Sequence, residues 1–337
     1  MRWTGRVAVA AMVVTMAGAP ATATTLGVYT GISIFGDSLS DPRNASALAG
    51  AAFPAEFPLG KASDGPLWSE LIAEDFAARG LPVRNFAFAA ARVQPDDQNA
   101  LFPGFPGINL PAQLRNFEAA TPAPLAPGHL ALFWLGANDL RDALGDFNPL
   151  GDPFEELATL STTAAAAAAS LVAQATAVRE FGIRDILFVT APDLSLTPAA
   201  AAQPAAAQGL AQLASGIFNT ALGAAVSALD LLDPDLRAGV FDINPGFIAT
   251  LANPGAIGVT EPAALSCLDV IGNPPPLDLL SECGAHFFYD DIHPSSALHA
   301  AIADDLRRAV APIPLPAAGW LLLGGVLMLG GLARRRA

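Results

Sequence analysis

Between residues 31 and 310 the chain alternates short apolar runs with longer helical stretches. The run at 31–36 is apolar, β-branched and bounded by glycine, and predicts a first strand. Runs at 83–88, 129–135, 184–190 and 238–243 predict four more. Helical stretches are expected at 67–78, 112–120, 153–181, 203–232 and 295–310. Residues 162–177 are alanine-rich, but alanine has the highest helix propensity and apolar residues flank the run, so a packed helix is expected there. Alternating strands and helices predict a parallel sheet covered on both faces. Right-handed crossovers then place the carboxyl end of every strand on one edge, where ligands bind. Two stretches, 41–65 and 92–111, are rich in Pro and Gly and long for plain connections, so they read as functional loops or lids. No repeat of fixed period and no composition break divides the body, which reads as one domain over 24–311.

Composition matters mainly at the two ends. Hydrophobic residues make up 53% of the 337 and charged residues 14%, which excludes a disordered chain as the default. At the start, Arg2 and Arg6 precede an apolar run at 7–18 and then Ala19-Pro20-Ala21-Thr22-Ala23. That order of charge, apolar core and A-x-A spacing fits a signal peptide over 1–23, with a buried N-terminal helix as the alternative. At the other end, Pro314-Leu315-Pro316-Ala317 opens a span of 17 uncharged residues, 317–333, followed by Arg334-Arg335-Arg336. Such a span is at the short end of what crosses a bilayer as a helix, and the arginines would hold its end in the cytoplasm. The tail over 312–337 resembles PEP-CTERM sorting tails of the V-P-L-P-A form, with Ile313 in place of the usual valine. That resemblance implies recognition by an exosortase-type enzyme; a permanent membrane anchor is the alternative. Either topology puts the body outside the cytoplasmic membrane, in the periplasm, at the cell surface or in the extracellular matrix.

Setting the ends aside removes five basic residues and leaves 12 against 31 acidic ones, a net charge of −19 on the body. Such a surface disfavours nucleic acid and anionic lipid as electrostatic partners. Cys267 and Cys283 are the chain's two cysteines, and in an exported protein they are most simply a disulfide, with two free buried thiols as the alternative. No Cys or His cluster has zinc-ligand spacing, so neither a metal nor another cofactor is expected.

The candidate chemistry lies at two distant places. In Ile32-Ser33-Ile34-Phe35-Gly36-Asp37-Ser38-Leu39, a serine stands just past a strand's carboxyl end. Alone, such a turn fits an N-cap as well as a nucleophile. In Tyr289-Asp290-Asp291-Ile292-His293-Pro294, a histidine could accept the serine proton and Asp290 could orient its ring. Alone, this segment fits a surface loop.

Taken in order, four blocks resemble the SGNH (GDSL) hydrolase family across about residues 33–309. Gly36-Asp37-Ser38-Leu39 matches the first block, and Asn85-Phe86-Ala87-Phe88-Ala89-Ala90-Ala91 matches the second, usually N-Y-A-x-G-G-A. Gly136-Ala137-Asn138-Asp139 matches G-x-N-D, and Asp290-x-x-His293-Pro294 matches D-x-x-H-P. The resemblance implies a three-layer α/β/α sandwich on a five-stranded parallel, flavodoxin-like sheet of order 2-1-3-4-5. It also implies a catalytic triad of Ser38, His293 and Asp290. The oxyanion hole would be built from the backbone N–H groups of Ser38 and Ala89 and the side-chain amide of Asn138. Ala89 and Ala90 stand where the family has glycines, a departure tolerable only if alanine can take the local φ. Asp291 is the rival to Asp290, and spacing favours Asp290. His129, His286 and His299 fall outside the motif and read as structural or surface residues. No G-x-S-x-G elbow occurs. Phe102 and Phe105 could line an acyl groove or simply pack their loop.

The implied reaction is hydrolysis of a carboxylic ester through an acyl-enzyme, on a lipid or other acyl ester as in the secreted phospholipase branch of the family. Two alternatives remain open: a polysaccharide O-acetyl esterase, distinguished by an acetyl-sized pocket, and an inactive surface or matrix binding protein, favoured only by the altered second block.

Overall fold

The computed structural model describes residues 29–94, 107–121 and 124–310. The leader expected at 1–23, the tail expected at 312–337, and Phe102 and Phe105 lie outside the described residues. Five strands form one parallel sheet: β1 (Gly31–Gly36), β2 (Val83–Asn85), β3 (His129–Trp134), β4 (Asp185–Val189) and β5 (Arg237–Phe241). Their order is β2-β1-β3-β4-β5. The connecting helices are α1 (Asn44–Ala49), α2 (Trp68–Ala77), α3 (Leu110–Ala120), α4 (Ala137–Gly145), α5 (Pro153–Ala175), α6 (Pro198–Ala201), α7 (Ala205–Leu232), α8 (Asn244–Ala252), α9 (Cys267–Ile271) and α10 (Ser296–Val310).

The central strands read as unbroken apolar runs because both faces of the sheet are covered, and every residue of β1, β3 and β4 is buried. Successive side chains part to opposite faces. Phe35, Phe133 and Phe188 occupy registered positions on three neighbouring strands and stack on one face, with centroids 4.5 and 5.6 Å apart. Phe117 of α3, Leu171 of α5 and Phe218 of α7 pack onto that face. Ile32, Ile34, Leu132 and Trp134 point the other way, onto Trp68 of α2, Phe247 of α8 and Ile302 of α10.

α5 and α7 are long and apolar enough to cross a membrane by composition, yet they pack against each other and onto the sheet. Their buried residues form stripes at helical spacing, Leu160, Ala164, Ala167, Leu171 and Ala175 on α5, and Ala211, Ala214, Phe218, Leu222 and Val226 on α7. The alanine run therefore supplies the inner face of a packed helix.

Several boundaries differ from the sequence reading. The second strand stops at Asn85, not at 88, although Phe86 and Phe88 still donate to Ile34 and Gly36 carbonyls at 2.8 and 3.2 Å. The Asn85 side chain accepts the Ala87 N–H at 2.9 Å and turns the chain away. The helix expected over 153–181 tightens after Ala175 into a 3₁₀ turn, Thr176–Phe181. α4 and α8, nine residues each, form where the sequence predicts no helix.

Cys267 and Cys283 form a disulfide with Cα atoms 5.1 Å apart. It ties α9 to the 3₁₀ turn Leu277–Ala285. The Cys267 and Leu268 N–H groups donate to the carbonyls of Phe288 and Tyr289, both at 3.0 Å, so the bridge also braces the segment before Asp290. Replacing both cysteines by serine is expected to lower the unfolding free energy by about 3 kcal/mol. A urea titration would register this as a lower midpoint.

Candidate active site

β1 ends in a tight turn built by backbone proximity and one buried amide. A Cβ on Gly36 would lie 2.6 Å from Ser40 Cβ and 3.2 Å from the Trp134 carbonyl, so the turn has room only for glycine. The Gly36 N–H donates to Gln113 Oε1 at 3.0 Å, and Gln113 Nε2 donates back to the Gly36 carbonyl at 2.7 Å. Beyond it, Asp37 Oδ1 accepts the Leu39 N–H and the Asp37 carbonyl accepts the Ser40 N–H, each at 3.0 Å. Ser38 is thereby held at the turn's tip, and its N–H has no acceptor among the described residues.

A second turn brings the distant segment to it. The Tyr289 N–H donates to the His293 carbonyl at 2.7 Å, while Asp290 Oδ1 accepts the N–H groups of Ile292 and His293 at 2.9 and 2.7 Å. Asp290 Oδ2 lies 2.7 Å from His293 Nδ1, and His293 Nε2 lies 2.8 Å from Ser38 Oγ. A carboxylate only accepts, so Nδ1 carries the proton and Nε2 is free to accept from the serine hydroxyl. Burial alone would raise the Asp290 carboxyl; the His293 charge, its ring hydrogen bond and the two backbone donors outweigh that and hold it below the ordinary aspartate value. Asp291 is exposed. Phe57 meets the His293 ring edge-on at 5.7 Å, and Asp64 accepts both the N–H and hydroxyl of Ser296 at 2.7 Å, fixing the start of α10.

The G-x-N-D block follows β3. Gly136 has φ +121, and a Cβ there would lie 2.3 Å from the Phe218 ring. α4 then carries Asn138, whose Nδ2 donates to the Ala91 carbonyl at 3.0 Å and which lines the same cavity as Ser38. Asp139 accepts the Val93 N–H at 3.0 Å. The third and second blocks are thus bonded to each other.

Ala89 differs from expectation. Its N–H donates to Asp41 Oδ2 at 2.8 Å, an oxygen that also accepts from Ala45 N–H at 3.0 Å. The donor expected to face the oxyanion is therefore engaged by a carboxylate. Ala90 takes the left-handed conformation, φ +65, where the family's glycine would be at ease. Both alanines line the cavity beside Ser38.

The remaining histidines are buried. His129 Nε2 lies 2.9 Å from Ser33 Oγ, and burial first, then Arg84, lowers its pKa to about 4. His286 Nδ1 lies 3.2 Å from the Leu265 carbonyl. His299 has no hydrogen bond on either ring nitrogen, and burial lowers it to about 3. Sequence reasoning missed Asp41, Gln113, Asp64 and Phe57, whose partners lie far along the chain and leave no local pattern. Among the described residues no His, Cys, Asp and Glu group is arranged to hold a metal ion.

A serine, a histidine and an aspartate hydrogen-bonded in line at the carboxyl edge of a parallel sheet have the geometry of a triad for acyl transfer. The chain belongs to the GDSL-like lipase/acylhydrolase family, whose model matches residues 32–306. It is 24% identical over 318 residues to the phosphatidylcholine-sterol acyltransferase of Aeromonas hydrophila, covering 82% of this chain and 88% of that one. Among solved structures it is similar to an extracellular lipase from Streptomyces rimosus, with 15% identity, TM-score 0.44 and coverage of 83% of this chain and 99% of that one. A phospholipase A1 from Streptomyces albidoflavus NA297 matches at 13% identity and TM-score 0.45, with coverage of 83% and 99%.

Two outcomes follow from this geometry. Burial raises Asp37 to about 7 and Asp139 to about 6, so each binds its proton more tightly in the folded chain than in the unfolded one. Their contribution to stability is complete below about pH 4 and is lost as pH rises through 6 to 7. Asp290 has the opposite sign, its contribution being lost as pH falls through its depressed value. His129 and His299, lowered to about 4 and about 3, gain stability as pH rises toward 6.5 and oppose this slope. The expectation is therefore differential: the urea midpoint of the unaltered chain relative to Asp37→Asn should fall from about pH 4 to about pH 8. Separately, Ala90→Gly removes the left-handed strain and is expected to raise stability by about 1 kcal/mol, again read from urea midpoints.

Proposed function

We propose that this chain hydrolyses carboxylic esters of lipids through Ser38, His293 and Asp290. The observation that carries the reading is the hydrogen-bonded line from Ser38 Oγ through the imidazole to Asp290, 2.8 and 2.7 Å. Ser38 Oγ attacks the ester carbonyl as His293 Nε2 takes its proton. The tetrahedral oxyanion is held by the Ser38 N–H and by the Asn138 amide, and Ala89 joins them only by exchanging Asp41 for the oxyanion. Collapse expels the alcohol, protonated by His293, and leaves an acyl-serine. Water, deprotonated by the same histidine, releases the carboxylic acid and restores Ser38. Asp290 stays ionised throughout and stabilises the imidazolium.

An acyl-serine can also be released by an alcohol in place of water. The relative from Aeromonas hydrophila, named as an acyltransferase, favours that second outcome. Product analysis with an added alcohol separates them, because transfer yields a new ester and hydrolysis a free acid.

The same proposal places the protein outside the cytoplasmic membrane. A leader at 1–23, a body over 24–311 with net charge −19, a disulfide, and an apolar tail ending in three arginines support it. The tail would hold the protein at the membrane at least transiently, with an exosortase-type enzyme as its processing partner.

The test is kinetic. Ser38→Ala should lower kcat on p-nitrophenyl esters by at least about 10⁴-fold, and Asp290→Asn by about 10⁴-fold through loss of the correct tautomer. Ester hydrolysis that survives Ser38→Ala would overturn the mechanism.

A further inference from the structure

The segment that joins α4 to α5 carries apolar side chains far out into solvent. Leu150 is 93% exposed, and Phe154, in the first turn of α5, is 84% exposed. Leu157, one turn further along the same face of α5, is exposed as well. A single exposed leucine is ordinary on a protein surface, but neighbouring ones on a fixed frame are not. Here the frame is held by hydrogen bonds. Asn148 N–H donates to Glu156 Oε2 and Leu150 N–H to Asn148 Oδ1, both at 3.0 Å. The Asn148 carbonyl accepts the Gly151 N–H at 3.0 Å, and Asp152 Oδ1 accepts the N–H groups of Phe154 and Glu155 at 2.8 and 3.2 Å. Pro149 and Pro153 fix φ at two further positions. The location is equally specific. α4 leaves the carboxyl end of β3 and α5 returns the chain toward the amino end of β4, so α5 begins on the sheet edge that carries Ser38. Pro149 and Arg141 line one groove, and Arg141 also lines the cavity of Ser38.

We infer that Leu150 and Phe154 form a docking surface for a zwitterionic lipid layer, which they enter so that the sheet edge carrying Ser38 faces the lipid. The inference rests on the lipid-ester reading and adds how the aggregated substrate is met. Charge selects the occupant. Asp146, Asp152 and Glu155 are exposed and flank the two apolar side chains, on a body of net charge −19. Anionic lipid is repelled there, whereas zwitterionic lipid takes up apolar side chains without net repulsion. A second copy of the chain fits this patch poorly. An isologous contact would set the three carboxylates against their own copies. The two side chains also offer roughly 300 Å², where a stable dimer needs about 800 Å² per partner. Leu231 and Leu232 are nearly as exposed, but they end α7, which delivers the chain to the amino end of β5 on the opposite edge. They supply an internal control.

The test reads the patch itself, in the full-length chain carrying Ser38→Ala so that the lipid stays uncleaved. Both native cysteines are paired, so a thiol introduced as Leu150→Cys, or as Leu232→Cys for control, alone takes an environment-sensitive fluorescent label. With phosphatidylcholine vesicles the label at 150 should shift to the blue and be quenched by spin-labelled lipid, while the label at 232 should report water. Replacing half of the lipid by phosphatidylglycerol should weaken that shift. With Ser38 intact, Leu150→Ser together with Phe154→Ser should lower kcat/KM on vesicle phosphatidylcholine at least about tenfold and leave p-nitrophenyl acetate unchanged. A label at 150 that stays in water, shifts no more than the one at 232, or shifts further on phosphatidylglycerol would overturn the docking surface and leave the hydrolase reading intact. A shift that grows with protein concentration in the absence of lipid would give the patch to a second copy, and the lipid proposal would fall. A lipid-dependent shift at 150, with the Ser38 chain cleaving no ester, would support the surface and overturn the hydrolase reading instead.

Discussion

The hydrogen bond between Ser38 and His293 joins residues 255 positions apart, and the rest of the architecture is arranged around that closure. The two partners approach the same sheet edge from opposite ends of the chain. Ser38 follows β1 and Asn138 follows β3, and the strand order reverses between exactly these neighbours, β2 lying outside β1 and β4 outside β3. A parallel sheet opens a crevice at such a reversal, so Ser38 and Asn138 flank one space. The histidine arrives without a strand of its own. Its segment is held by the Phe288–Pro294 bridge, by α9 through the Cys267 and Leu268 N–H groups, and by Asp64 at the start of α10.

Two aspartates, one beside Ser38 in the chain and one bonded to His293, show how the site assigns charge. Asp290 is half-buried, which opposes ionisation, yet it receives the imidazole and two backbone N–H groups and stays a carboxylate. Asp37 is buried and receives a single N–H on Oδ1, while Oδ2 has no partner. Burial wins there and raises it to about 7. The difference is first the His293 charge beside Asp290, then its ring hydrogen bond and the two backbone donors, because desolvation acts on both aspartates in the same direction. Negative charge is thereby held at Asp290, where the proposed reaction would form an imidazolium, and weakened at Asp37.

The periodicity of the chain made the sheet legible because β1, β3 and β4 are buried on both faces and cannot be interrupted by polar residues. The four motif blocks were legible because each is local. What joins them is not. Gln113 clamps Gly36 across 77 positions, and Asp41 reaches Ala89 across 48. A lone Gln in a helix or an Asp after a turn carries no signature of such a partner, so these residues could not be read from spacing.

The second block illustrates how backbone chemistry outlives side-chain identity. A glycine is needed where φ is positive or where a Cβ would collide. Position 90 meets the first condition, with φ +65, and alanine there is strained. Such strain persists only where neighbours over-determine the conformation. They do so here: the Ala90 carbonyl accepts from Arg92 Nη1 at 2.8 Å, Arg92 pairs with Asp142, and the Ala91 carbonyl accepts from Asn138. Position 89 is held differently, by donation of its N–H to Asp41. That carboxylate keeps the donor oriented and satisfied, and in the proposed reaction an oxyanion would compete with it. The loop is thus fixed by charge and hydrogen bonds in place of glycine's freedom, at the expense of an immediately available third donor.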